Sequence, residues 1–203
     1  MRYIVVDLEA TCWLKGGSRD RMEIIEIGAV LLNSSSGPAV SEFGAFVRPV
    51  LEPVLSDFCR ELTHIEQADV DGAAPFPEVL SRLLEWIGSE PFVLCSWGAY
   101  DLGQFETDCR RHKLPLPETF RRHVNLKAEF AEQRGIQPCG MAHALVISKL
   151  PLEGTHHRGI DDARNIGRIA PLVLPAVEAR DGAEAVDGPA GDDGSRADSG
   201  QQG

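Results

Sequence analysis

The chain has little with which to cross-link or anchor itself. Its five cysteines (Cys12, Cys59, Cys95, Cys109 and Cys139) are odd in number and widely scattered over 203 residues. None forms a CxxC pair, so the cysteines suggest neither a zinc site nor a disulfide framework. A reduced, cytoplasmic setting is expected. No apolar run reaches the length of a membrane span, and Met1-Arg2-Tyr3-Ile4 leads into a strand without a signal-peptide pattern. No membrane is therefore expected among the partners, and no internal repeat is visible. Hydrophobic residues at 43% with 25% charged are ordinary for a soluble domain with a sizeable core.

Positive charge is also scarce. The net charge of −11 argues at first sight against nucleic acid, but its distribution is uneven. From Glu178 onward seven acids face only Arg180 and Arg196, so −5 belongs to the tail and −6 to the body. Within the body Arg110, Arg111, Lys113, Arg121, Arg122 and Lys127 cluster with His112 and His123. Such a ridge can attract phosphate despite a negative total, although a solvated helix face is the simpler reading for any one of these residues.

A first strand is expected over 3–9, a polar loop over 14–21, and β-rich segments over 22–32 and 40–47, together an antiparallel meander. Short helices are expected over 56–62, 127–134 and 141–149, with a capping box at Thr63-His64-Ile65-Glu66. Helical spacing runs over 77–87 to a stop at Gly88. The stretch 91–96 is apolar on both faces, which predicts an interior, parallel strand followed by a helix to about His112. An edge strand over 119–126 and a long helix over 159–174 complete an α/β domain at 1–175, with helices on both sides of the sheet. The Ala/Gly/Asp-rich tail, 176–203, is expected to be disordered.

Chemistry concentrates where the first strand ends, at Val5-Val6-Asp7-Leu8-Glu9-Ala10-Thr11. Alternation puts Asp7 and Glu9 on one face and Leu8 on the other. Two like charges so close need a cation between them, and oxygen ligands suit magnesium or manganese. The alternative for the pair alone is a solvated strand end. Glu23 and Glu26 lie nearby in such a meander and read better as strand-surface acids or partners of the loop arginines. Asp101 follows the interior strand at a helix start, where a lone acid is most often a cap.

In His156-His157-Arg158-Gly159-Ile160-Asp161-Asp162, helix periodicity separates the two acids. Asp162 shares a face with Ile166 and Ile169 and points to the sheet, whereas Asp161 lines up with Asn165 and Arg168 and is expected to point to solvent and pair with Arg164 or Arg168. Four acids at element ends fit two divalent ions roughly 3.5–4 Å apart, an arrangement that clamps phosphoryl transfer. His157, just outside the helix, is placed to take a proton from an attacking water. His156 is read as structural or exposed.

Asp7-Leu8-Glu9-Ala10-Thr11, Tyr100-Asp101 and His157-x-x-x-x-Asp162, in that order, resemble the DEDDh branch of the 3′→5′ exonucleases. The segments Asp7-x-Glu9-Ala-Thr-Cys12 and His157-Arg-Gly-Ile-Asp-Asp162 look like its RNA-trimming subgroup, which includes the histone-mRNA 3′ exonuclease. The resemblance covers about 3–174. It implies a ribonuclease H-like fold with a mixed five-stranded sheet flanked by helices. Two Mg²⁺ or Mn²⁺ ions held by Asp7, Glu9, Asp101 and Asp162, and His157 as general base, are implied as well. It further implies that Leu8, Ala10, Thr11, Leu62, Thr63, His64, Ile65 and Tyr100 receive the terminal nucleotide, with core packing an equal reading for Leu62, Ile65 and Tyr100. His64 departs from the subgroup's glycine. The implied activity is release of nucleoside 5′-monophosphates from single-stranded 3′ ends, RNA more than DNA. A non-catalytic nucleic-acid-binding protein on the same fold, or a DNA proofreading exonuclease, are the alternatives.

Overall fold

The computed structural model describes residues 1–186. Its centre is a five-stranded mixed sheet in the order β3-β2-β1-β4-β5. The strands are β1 (Arg2–Ala10), β2 (Ile24–Leu32), β3 (Ala39–Phe46), β4 (Phe92–Ser96) and β5 (His123–Asn125). β1, β2 and β3 form the antiparallel meander, while β4 runs parallel to β1 and β5 parallel to β4. The sheet is covered on both faces, which is why β1 and β4 are nearly continuous apolar runs.

Alternation along β1 assigns its residues to two cores. Ile4, Val6 and Leu8 pack with Val79, Leu83 and Phe105, from α3 (Phe76–Ile87) and α4 (Tyr100–Arg111). Tyr3 and Val5 pack on the other face with Phe130, Leu145, Ile166 and Ile169. Those come from α5 (Leu126–Arg134), α6 (Met141–Ile147) and α7 (Gly159–Ile169). Asp7 and Glu9 continue this second face beyond the apolar part. A third, smaller cluster of Ile25, Leu55, Cys59, Ile65 and Val70 lies under α1 (Asp57–Thr63) and α2 (Gln67–Asp71). Ser56 caps α1 by accepting the Cys59 N–H at 3.0 Å.

Several expectations need correction. The edge strand over 119–126 shrinks to three residues, preceded by a 3₁₀ turn, Glu118–Arg121. The turn drives Phe120 into the core against Phe92 and Phe105, at ring separations of 6.3 and 5.1 Å. The capping box belongs to Glu66 and Asp69, not to Thr63 and Glu66. Thr63 instead bonds within its own turn, donating to the Cys59 carbonyl and accepting the Ile65 N–H. The helix expected over 159–174 ends at Ile169 and passes into a 3₁₀ turn, Ala170–Leu172. Pro171 has no N–H to continue the ladder and crowds the carbonyl four residues back.

Residues 176–186, expected within a disordered tail, belong to a helix, α8 (Leu174–Val186). Leu174 and Val177 are buried, each worth about 1.5–3 kcal/mol. Arg180 adds a forked contact to Glu129 at 2.7 Å. The rest of the expected tail, 187–203, lies outside the described residues.

Candidate active site

The site is built where α7 crosses the exit of β1. In the β1–β2 register Asp7 sits opposite Gly28 and Glu9 opposite Glu26. Gly28 is where the helix comes closest. A Cβ there would lie 2.1 Å from the Gly159 carbonyl carbon, so only glycine lets α7 start against the strand. The approach is mutual, because a Cβ on Gly159 would meet the Asp7 carbonyl oxygen at 3.1 Å. Asp162, in the first turn of α7, thereby arrives beside the two carboxylates of β1. Glu26 fastens this junction, accepting the Gly159 N–H at 2.9 Å and the Arg158 Nε–H at 3.1 Å.

One oxygen each from Asp7, Glu9 and Asp162 lie within 4.8 Å of one another. Desolvation, then the charges of Asp101, Glu9, Asp162 and Glu26, push the Asp7 carboxyl well above its ordinary range. Glu9 is pushed up to about 8 by burial, then by Asp162 and Glu26. Asp162 is raised mainly by burial, against the counter-pull of His156. Asp101 is raised to about 6 by burial, although it accepts the Leu8 N–H at 3.1 Å. It therefore stands just outside the three-acid group, tied to the β1 backbone while its charge acts on Asp7. Acids that resist ionisation together are what a divalent cation with oxygen ligands would relieve, so this donor set fits such an ion.

The loop before α7 holds the histidines. His157 adopts φ +64° and its N–H donates to Asp162 Oδ2 at 3.0 Å. Its ring pKa is lowered by burial first and then by His156. His156, read from sequence as structural or exposed, instead places Nδ1 2.9 Å from Asp162 Oδ2, with its ring stacked on His157 at 4.0 Å. Only the left-handed turn at His157 folds it back, and nothing in the spacing signalled that. Asp161 pairs with Arg164 at 2.8 Å and accepts the Thr155 N–H, as its helix position suggested.

Glu23 and Glu26, read as strand-surface acids or partners of the loop arginines, are both buried. Glu23 accepts the N–H groups of Val50, Leu51 and Glu52, and Glu26 pairs with Arg158. Sequence reasoning missed Gly28 and Glu26 as the residues that join the site's halves. The available signal was a glycine inside a strand, which marks a close backbone approach.

The nucleotide-facing candidates divide. Leu8, Ala10, Thr11, Thr63 and Ile65 are buried, and Thr11 Oγ1 accepts the Glu23 N–H. His64 is exposed, Leu62 and Tyr100 are half-buried, and the Arg19 guanidinium lies 5.1 Å from the Tyr100 ring centre. His64 takes φ +58° after α1, the backbone conformation for which glycine is the usual residue. The basic segment does not form one free ridge. Arg111 is turned onto Asp108 and the Asp20 and Met22 carbonyls, Arg121 onto Glu118, and His123 onto Ser96.

The family described as Exonuclease (RNase_T) matches residues 4–170. Human ERI1 exoribonuclease 2 is 38% identical over 189 residues, covering 82% of this chain and 27% of its own length. The Drosophila melanogaster 3′-5′ exonuclease Snipper is 32% identical, covering 89% of this chain and 70% of its own. Among solved structures, the nuclease domain of 3′hExo, a DEDDh family member bound to rAMP, superposes with a TM-score of 0.80 at 29% identity. That match covers 86% of this chain and 92% of the other. The chain spans about a quarter to a third of the length of the ERI1 exoribonuclease 2 relatives it matches.

Proposed function

The chain belongs to the exonuclease family, and from that premise we propose a metal-dependent 3′→5′ exonuclease acting on single-stranded 3′ ends, RNA in preference to DNA. Residues 1–175 are its proposed catalytic unit, and a cytoplasmic setting is part of the same reading. The observation that carries the proposal is the convergence of Asp7, Glu9 and Asp162 oxygens within 4.8 Å, with no protein cation to neutralise Asp7 or Glu9 among the described residues. The RNA preference is supported by relatives named exoribonucleases and by rAMP in the similar nuclease domain.

Asp7, Glu9, Asp101 and Asp162 would hold two Mg²⁺ or Mn²⁺ ions. Bound there, such ions supply Lewis-acid activation and charge neutralisation at the reacting phosphate. The protein's own residues do the rest. Asp101 fixes the strand exit through the Leu8 N–H, so that the β1 acids keep their spacing. His157, with its pKa held down by burial, is neutral near pH 7 and accepts the proton of the attacking water at a ring nitrogen. Leu62, His64 and Tyr100 offer surface to the terminal nucleoside, with Tyr100 as a sequence-tolerant stacking face. The buried Leu8, Ala10, Thr11, Thr63 and Ile65 would back that surface.

The test is a time course on matched 5′-labelled single-stranded RNA and DNA with Mg²⁺, with Mn²⁺ and with EDTA. A ladder that shortens from the 3′ end, requires metal and runs faster on RNA is expected. No ladder on either strand, from folded protein that still binds the oligonucleotide, would replace the enzyme with a binding protein. A faster DNA ladder would reverse the substrate preference.

A further inference from the structure

Asp162 belongs to two sets of metal-competent side chains whose chemistry differs. The first is all oxygen: Asp7, Glu9 and Asp162. The second is His156, His157 and Asp162, whose ring nitrogens and a carboxylate oxygen also lie within 4.8 Å of one another. The two imidazoles are stacked, 16° apart in plane and 4.0 Å between centres, so a shared ion requires one ring to turn out of the stack, because each nitrogen lone pair lies in its own ring plane. His156 Nδ1 already lies 2.9 and 3.1 Å from the two Asp162 oxygens.

Ligand softness sorts ions between the sets. Oxygen groups suit Mg²⁺ and Mn²⁺, whereas imidazole nitrogen with a single carboxylate suits Zn²⁺, which stands above Mn²⁺ in intrinsic affinity for such sites. Zn²⁺ bonds nitrogen and oxygen at about 2.0–2.2 Å, which sets tetrahedral ligands about 3.4 Å apart. Closing on one ion asks the His156 ring to turn out of its stack on His157, and it has the freedom for that because its side chain is 40% exposed. Solvent can supply the fourth ligand.

We propose that His156, His157 and Asp162 form an inhibitory site for a borderline divalent ion of the Zn²⁺ class, overlapping the catalytic site through Asp162. Occupancy withdraws one carboxylate from the oxygen set and takes the His157 ring out of proton transfer. Inhibition rests on the exonuclease reading, but ion binding does not.

The experiment uses the full chain, stripped with EDTA and exchanged into metal-free buffer. Zn²⁺ affinity is read by competition with a chromophoric chelator, and Co²⁺ serves as a spectroscopic probe of nitrogen ligation. The wild type is expected to bind Zn²⁺ and to show visible Co²⁺ bands. His156→Gln and His157→Gln should each weaken Zn²⁺ at least tenfold and lose the bands, while Asp7→Asn retains both. In turnover at saturating Mg²⁺, each protein normalised to its own Mg²⁺ rate, His156→Gln should need at least tenfold more Zn²⁺ for half-inhibition. Unchanged Zn²⁺ affinity in His156→Gln overturns the site, as does loss in Asp7→Asn alone, which would put the ion in the oxygen set. Zn²⁺ binding of the expected pattern in a protein without nuclease activity would uphold the site and remove the exonuclease reading.

Discussion

Two groups of acids meet at the junction of β1, β2 and α7, and they are treated in opposite ways. Glu23 and Glu26 are each 2% exposed and fully provided for, Glu23 by three backbone N–H groups and Glu26 by Arg158 and the Gly159 N–H. Asp7 and Glu9, on the neighbouring strand with Glu9 directly opposite Glu26, have no such donor among the described residues, and the neighbouring acids drive their pKa upward. Carboxyl groups with donors inside the protein serve the fold. Carboxyl groups left without them hold a place for something the chain does not supply. Burial alone therefore does not single out the proposed metal-holding acids, and compensation does.

The strongest way to break this contrast is to neutralise an uncompensated acid. Asp7→Asn or Asp162→Asn should cut exonuclease turnover by at least about 10³-fold, the loss expected when several kcal/mol of metal-borne charge stabilisation disappears. Asp7→Asn should also leave the metal-free protein as stable as the wild type or more so, read by its melting temperature. Near-normal turnover in either variant would remove the metal from the account.

Gly28→Ala probes the junction itself. Its Cβ cannot coexist with the Gly159 backbone, so α7 must retreat, at about 1–3 kcal/mol or more in stability and with turnover falling as Asp162 leaves Asp7 and Glu9. Unaltered denaturant midpoint and rate would show that the close approach is not required.

Neutralising a compensated acid should act through the fold instead. Glu26→Gln strands the half-buried Arg158 and weakens the hold on the α7 start, a loss of about 2 kcal/mol by chemical denaturation. A variant as stable as the wild type would contradict the role given to Glu26.

Stability against pH sharpens the comparison further. Glu9 at about 8 and Asp101 at about 6 stand above their ordinary values, so the folded state holds more protons than the unfolded one between those limits. Stability must then fall as pH rises. The metal-free protein should melt roughly 2–4 °C lower at pH 8.5 than at pH 6.5, and saturating Mn²⁺ should flatten that slope. A metal-free melting temperature that rises with pH would show the acids to be compensated after all.

The smallest effect belongs to Asp161, the compensated neighbour of Asp162. Asp161→Asn loses a partly exposed ion pair to Arg164 and should cost about 1 kcal/mol or less, with turnover within about twofold of wild type. A collapse in rate would mean that the two acids had been assigned the wrong way round.

Much of this was legible in the sequence because it depends on local geometry. Period-two alternation in β1 put Asp7 and Glu9 on one face, and period-3.6 spacing in α7 turned Asp162 inward with Ile166 and Ile169 and left Asp161 to Arg164 or Arg168, of which the structure shows Arg164. The apolar run of β4 read correctly as an interior parallel strand. What failed were places where a side chain's partner lies far along the chain. Glu26 read as a surface acid because Arg158, 132 residues away, is invisible from its neighbours. His156 read as idle because its return to Asp162 depends on a left-handed residue that no propensity demands of a histidine.

By itself, then, the sequence determined which residues could carry the chemistry and which face of each element they occupy, since both follow from backbone periodicity. Only the tertiary structure decided that three of those acids share one space, that two nearby acids do not, and that His156 joins Asp162. The contact of Gly28 with Gly159 sets those distances, and a contact between residues 131 positions apart is a property of the packed chain rather than of either segment.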